Sequence, residues 1–108
     1  GKSTLVRAVL GRIQPSRGRI TIAGVPLGDF DRRSVARRVA VVPQREEPIF
    51  PIAVREYIAL GRHPHGGPFG VRTSADREAI AAAVARADVA AFLDRPTDAL
   101  SGGEWQRV

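Results

Sequence analysis

The 108-residue sequence has no cysteine and no methionine, a single lysine, and one tryptophan and one tyrosine. Without cysteine there are no disulfides and no thiolate metal sites, and the redox compartment is left open. Apolar runs are short and broken by charge, so no segment offers the roughly 20 apolar residues that a membrane-spanning helix needs. The start shows no signal-peptide pattern, and the chain reads as cytosolic or peripheral to a membrane. Aromatics are 6% of the residues and form no ladder on which bases could stack. The net charge of +6 rests almost wholly on arginines spread along the chain with acids between them. A phosphate-backbone reader would concentrate that charge, so the expectation is a solvated Arg-rich surface without a nucleic-acid partner.

What is present begins at the first residue. Gly1-Lys2-Ser3-Thr4 is the tail of the pattern G-x-x-x-x-G-K-S/T, whose backbone N–H groups wrap a polyphosphate at a helix N-terminus. In that role the Lys2 ammonium sits between β- and γ-phosphates, the Ser3 hydroxyl helps to hold Mg²⁺, and Thr4 faces the α-phosphate. A chance helix start would look the same locally. A domain does not naturally begin inside a phosphate loop, so the sequence is read as a piece of a longer chain. Alone, it is expected to be marginal or unfolded.

Periodicity and turn residues place the remaining segments. Leu5, Val6, Val9 and Leu10 fall at helical spacing and Gly11 is a stop. Pro15 to Gly18 is a turn, Arg19 to Ala23 an alternating strand, and Gly24 to Gly28 another turn. Asp31 caps a short helix to about Arg38, and Val39 to Val42 is a continuous apolar strand stopped by Pro43. Gln44 follows on a loop. Val54 to Leu60 reads as a helix ended by Gly61, and His63 to Gly70 as a loop. Thr73 to Asp76 is a capping box for a helix from Ala75 to about Ala87, and a shorter helix covers Val89 to Asp94.

The closing segment Leu100-Ser101-Gly102-Gly103-Glu104, followed by Gln106-Arg107, decides between these readings. Together with Lys2 upstream and Gln44 after a strand, it resembles the ATP-binding cassette family along the whole chain. The resemblance implies an α/β fold: a P-loop NTPase, here a partial cassette ATPase core with a helical subdomain. Residues 1–44 belong to the core, 45–101 to the Gln loop and helical subdomain, and 100–108 to the signature. It implies ATP and Mg²⁺ as ligands, with Gly1, Lys2, Ser3 and Thr4 on one nucleotide and Ser101, Gly102, Gly103 and Glu104 on another. Gln44 reaches Mg²⁺ and positions the attacking water, so Ser3 and Gln44 are the metal-associated residues. Two glycines admit an anion close to the backbone, and Ser101 adds a donor. An ordinary Ser-Gly-Gly cap with Glu104 in the first turn explains the same letters. In the family, two subunits pack head to tail, each P-loop facing the other's signature across a shared ATP. The acidic strand end, catalytic glutamate and switch histidine of the family come after the signature, and its adenine-stacking aromatic comes before the P-loop, so the resemblance implies an intact parent that hydrolyses ATP and a piece that alone does not.

The run Val54-Arg55-Glu56-Tyr57-Ile58-Ala59-Leu60-Gly61-Arg62-His63-Pro64-His65 is similar to the cassettes of metal-chelate importers, which carry iron–siderophore complexes, haem or cobalamin. Glu46, Glu47 and Trp105 depart from that pattern and leave the cargo open. The implied partners are a second copy of the ATPase, an integral membrane permease and, indirectly, a substrate-binding protein, at the cytoplasmic face of the cell membrane. Phe50, Pro51 and Tyr57 are candidate permease contacts, although packing within the helical subdomain accounts for them equally. His63 and His65 lack a neighbouring carboxylate and make a poor metal site. The adjacent Glu46 and Glu47 read as solvated charge. A soluble cassette ATPase acting on nucleic acid or the ribosome is the alternative. The compact, helical interval from Gln44 to Leu100 argues against it. A non-catalytic binding module is a third possibility.

Overall fold

A computed structural model describes residues 1–43, 51–67 and 70–108. They fall into two compact units, Gly1–Val42 and Pro43–Val108.

In the first unit, helix α1 (Lys2–Val9) runs from the phosphate-loop tail. It ends where Gly11 takes φ +68°, with Gly11 N–H on the Ala8 carbonyl at 3.0 Å and Arg12 N–H on that of Arg7 at 2.9 Å. This pair of bonds is a Schellman stop, and it needs a left-handed residue where Gly11 stands. The expected strand and turn are shifted. Strands β1 (Thr21–Ile22) and β2 (Val25–Pro26) form an antiparallel hairpin around Ala23 and Gly24, at φ 50° and 83°. Positive φ at both central residues is the turn geometry whose twist matches paired strands. Ile22 pairs with Val25 and Thr21 with Pro26, and the Leu27 N–H reaches the Ile20 carbonyl at 2.9 Å. Pro26 therefore occupies a position between hydrogen-bonded pairs, where its missing N–H leaves no bond unmade.

Asp31 caps α2 (Arg32–Ala36) as expected, accepting the Ser34 N–H at 2.9 Å. The helix stops two residues short of Arg38. The expected strand at Val39–Val42 is not found: among the described residues nothing pairs with this segment, and Val42 is 89% exposed. An apolar run becomes a strand by pairing its backbone, and β-propensity does not supply a partner.

The second unit is built around α3 (Val54–Leu60), which spans the expected residues. Helix α3 has Ala53 as its N-cap, which has no side chain that could cap it. Its first donors are met instead by a distant segment: Val54 N–H reaches the Arg95 carbonyl and Arg55 N–H that of Leu93, each at 3.0 Å. The Thr97 N–H donates to the Ile52 carbonyl at 2.9 Å and the Thr97 Oγ1 accepts from the Ile52 N–H at 3.4 Å. Val54 and Thr97 at this junction are buried, as is Val89. The helix expected over Val89–Asp94 is a single 3₁₀ turn at Ala90–Phe92, with the Phe92 N–H on the Val89 carbonyl three residues back at 2.9 Å; so short a stretch offers few bonds to offset the cost of nucleating an α-helix. A second 3₁₀ turn occupies His63–His65 inside the expected loop.

Helix α4 (Ser74–Ala87) opens with the expected capping box: Asp76 N–H donates to Thr73 Oγ1 at 3.2 Å and Thr73 N–H to Asp76 Oδ2 at 2.9 Å. Asp76 is buried, and its other oxygen accepts from Arg62 Nε at 2.9 Å, tying the end of α3 to the start of α4. These bonds, first the Thr73 N–H and then Arg62, hold the Asp76 carboxyl down at about 2. Helix α5 (Gly102–Arg107) closes the chain. Among the described residues no helix is long and apolar enough to cross a membrane.

Candidate functional site

The phosphate-loop tail lies on the first turn of α1, in the first unit. Gly1 precedes the helix and offers no side-chain cap, and the first turn carries no acid. Lys2, Ser3 and Thr4 are exposed. The first N–H with a carbonyl to reach is that of Leu5, on Gly1 at 3.1 Å, so those of Lys2, Ser3 and Thr4 have no acceptor within the helix. A positive helix end, donors unclaimed among the described residues, and an ammonium that no described carboxylate pairs with fit a polyphosphate. The exposed Ser3 hydroxyl fits Mg²⁺, which takes few protein oxygens and completes its shell from water and phosphate. Gln44 lies outside the described residues, as do Glu46, Glu47 and Phe50.

The signature lies on the first turn of α5, in the second unit. Ser101 and Glu104 form a second capping box: Glu104 N–H donates to Ser101 Oγ at 3.2 Å and Ser101 N–H to Glu104 Oε2 at 2.8 Å. The Glu104 carboxylate is therefore turned onto its own cap. Its other oxygen accepts from Arg95 Nη1 at 3.1 Å. The Ser101 N–H bond first, and Arg95 after it, lower the Glu104 pKa and keep it ionised. The cap leaves the N–H groups of Gly102 and Gly103 without an intrahelical acceptor, and leaves the Ser101 hydroxyl proton free to donate.

Among the described residues nothing in the packing explains the two glycines: neither has a positive φ, and a Cβ built on either meets no described atom within 4 Å. Glycine at such helical positions sacrifices roughly 0.5–1 kcal/mol relative to alanine. Open space over two free N–H groups is what a close-approaching anion would use.

Two partners of this turn carry no motif in the sequence. Arg95 reaches Glu104 across nine positions, and an opposite charge at that separation has no helical period to reveal it. Trp105 meets Tyr57 of α3, their ring centroids 4.9 Å apart at 52°. The Tyr57 ring is thus packed within its own unit. Among the described residues no group of three or more His, Asp or Glu side chains converges as a metal site.

A family model described as ABC transporter matches residues 1–108. The cobalamin import ATP-binding protein BtuD of Halobacterium salinarum is 43% identical over 108 residues, covering all of this chain and 27% of that protein. The hemin import ATP-binding proteins HmuV of Streptomyces coelicolor and Pseudomonas putida are 43% and 44% identical over the same length, covering 38% and 41% of those proteins. The chain thus spans between about a quarter and two fifths of the relatives it matches.

Proposed function

The chain belongs to the ABC transporter family, and from that premise we propose that it supplies both phosphate-binding halves of an importer's ATPase subunit. The observation that carries the reading is the pair of open helix starts. One presents Lys2, Ser3 and Thr4 on a first turn without an acid; the other presents Gly102 and Gly103, which nothing among the described residues requires to be glycine.

In this reading Gly1 to Thr4 cradle the phosphates of one ATP, Lys2 between β and γ and Thr4 at α, and Ser3 joins Gln44 in holding Mg²⁺. Ser101, Gly102 and Gly103 donate to the γ-phosphate of an ATP held by a second copy, and Glu104 fixes the shape of that turn. Bound ATP supplies the transferable phosphoryl group, and its capture between two copies favours the closed dimer by binding linkage. Gln44 orients the attacking water. The core takes in residues 1–44 and a helical subdomain residues 45–101, which presents Pro51 and its surroundings to a membrane permease at the cytoplasmic face. The relatives named for cobalamin and hemin import support a cargo of that class, a metal-bearing tetrapyrrole or another metal chelate.

The test is made on the full-length protein. It should hydrolyse ATP with Mg²⁺, and Lys2→Ala should reduce turnover at least about a hundredfold, as expected when a transition-state charge contact is lost. Turnover unchanged in Lys2→Ala would overturn the assignment. Permease-containing vesicles should take up labelled haem, cobalamin or ferric siderophore only with ATP, and the preferred label identifies the cargo.

A further inference from the structure

Arg95 touches both ends of the second unit's scaffold. Its backbone carbonyl receives the first N–H of α3, and its N–H is held by the Phe92 carbonyl at 2.9 Å. Its guanidinium lies 5.8 Å from the Phe92 ring centre and forks: one nitrogen donates to Glu104 Oε1, the other to the Ala99 carbonyl just before the signature. A planar fork can serve both acceptors at once, which a lysine ammonium on a flexible stem does less well.

The carboxylate it holds stands at a delicate place. Glu104 is in the first turn of α5, where it closes the capping box but also puts a negative charge beside the donors of Gly102 and Gly103. An uncompensated carboxylate there would repel a phosphate. Paired with Arg95, it caps the turn and presents little net charge.

We propose that Arg95 is a positioning residue for the signature turn, locking the Glu104 carboxylate onto Ser101 N–H and cancelling its charge so that Gly102 and Gly103 can receive a phosphate. The inference rests on the signature being a phosphate cradle.

The test is steady-state ATP hydrolysis by the full-length protein with thermal melting alongside. Arg95→Ala should raise KM for ATP about tenfold, the scale of one charge-assisted hydrogen bond, with a smaller fall in kcat. Arg95→Lys, which restores charge without the fork, should recover part of that loss. The decisive variant is Arg95→Ala with Glu104→Gln: removing the carboxylate's charge should restore KM by about threefold or more over Arg95→Ala alone. A purely structural Arg95 would give additive losses that track the melting temperature. Wild-type KM in Arg95→Ala, or no rescue by Glu104→Gln, would overturn the proposal. If Arg95→Ala does not fold, Arg95→Lys with and without Glu104→Gln makes the same comparison: rescue supports the proposal and its absence overturns it. A wild-type protein without ATP turnover would instead remove the cradle reading itself.

Discussion

Gly102 and Gly103 separate function from stability at the level of single residues. Their backbones lie in the helical region and their Cβ positions are open, so alanine is compatible with the fold at either place. Gly103→Ala should stabilise the full-length protein slightly, by about 0.5–1 kcal/mol in a denaturant titration, because helical glycine carries an entropic penalty. If the proposed cradle is right, the same variant weakens ATP-driven association, since the new methyl group would stand where that proposal places a phosphate. A stabilised protein with unchanged association would show that the glycines serve no ligand. Gly11 is the contrasting case, because φ +68° and the Schellman bonds require it for the stop itself.

At the level of elements, α3, α4 and the signature turn are joined by side chains reaching from one helix end to another. The Arg62–Asp76 pair links the end of α3 to the start of α4 at 2.9 Å. Asp76, held down at about 2, makes this joint sensitive to acid. Because the folded pKa lies below the ordinary unfolded value near 3.9, the joint's stabilisation is fully present above about pH 5 and disappears as pH falls toward 2. Chemical denaturation between pH 6 and 2.5 should show that loss in the wild type and a shallower one in Asp76→Asn; identical slopes would contradict the assignment. Much at this scale was legible in the sequence. The caps at Asp31 and Thr73, the stop at Gly11 and the span of α3 depend on neighbours within a few residues. The hairpin was displaced because Pro26 reads as a breaker, although its register asks no donor of it. The 3₁₀ turn at Ala90–Phe92 was hidden because its apolar residues read alike in an α-turn and a 3₁₀ turn. The pairing of Leu93 and Arg95 with the start of α3, some forty residues earlier in the chain, and the role of Arg95 were hidden because these partners are set by the fold and not by spacing.

For the whole molecule, the two glycine-rich motifs lie in separate compact units, Lys2 in one and Ser101 in the other. Each motif was legible because its pattern is a short contiguous stretch of backbone. The class of importer was also legible, from the run Val54–His65, and the relatives named for cobalamin and hemin import agree with it. The individual cargo was not, since residues proposed to hold ATP carry no imprint of what a permease moves. The central claim is that Lys2 and Ser101 serve two different nucleotides, each completed by a second copy in a head-to-tail dimer. It is tested most directly by mixing two full-length variants, Lys2→Ala and Ser101→Arg, with ATP under conditions that block hydrolysis, and measuring dimer formation by sedimentation. Each variant alone should remain monomeric, because every site it can form contains a damaged half. The equal mixture should form heterodimers with a single nucleotide trapped, because one of their two sites then unites an intact Lys2 with an intact Ser101. A mixture that stays as monomeric as its components would contradict the account, for it would mean that the two motifs must act within one chain.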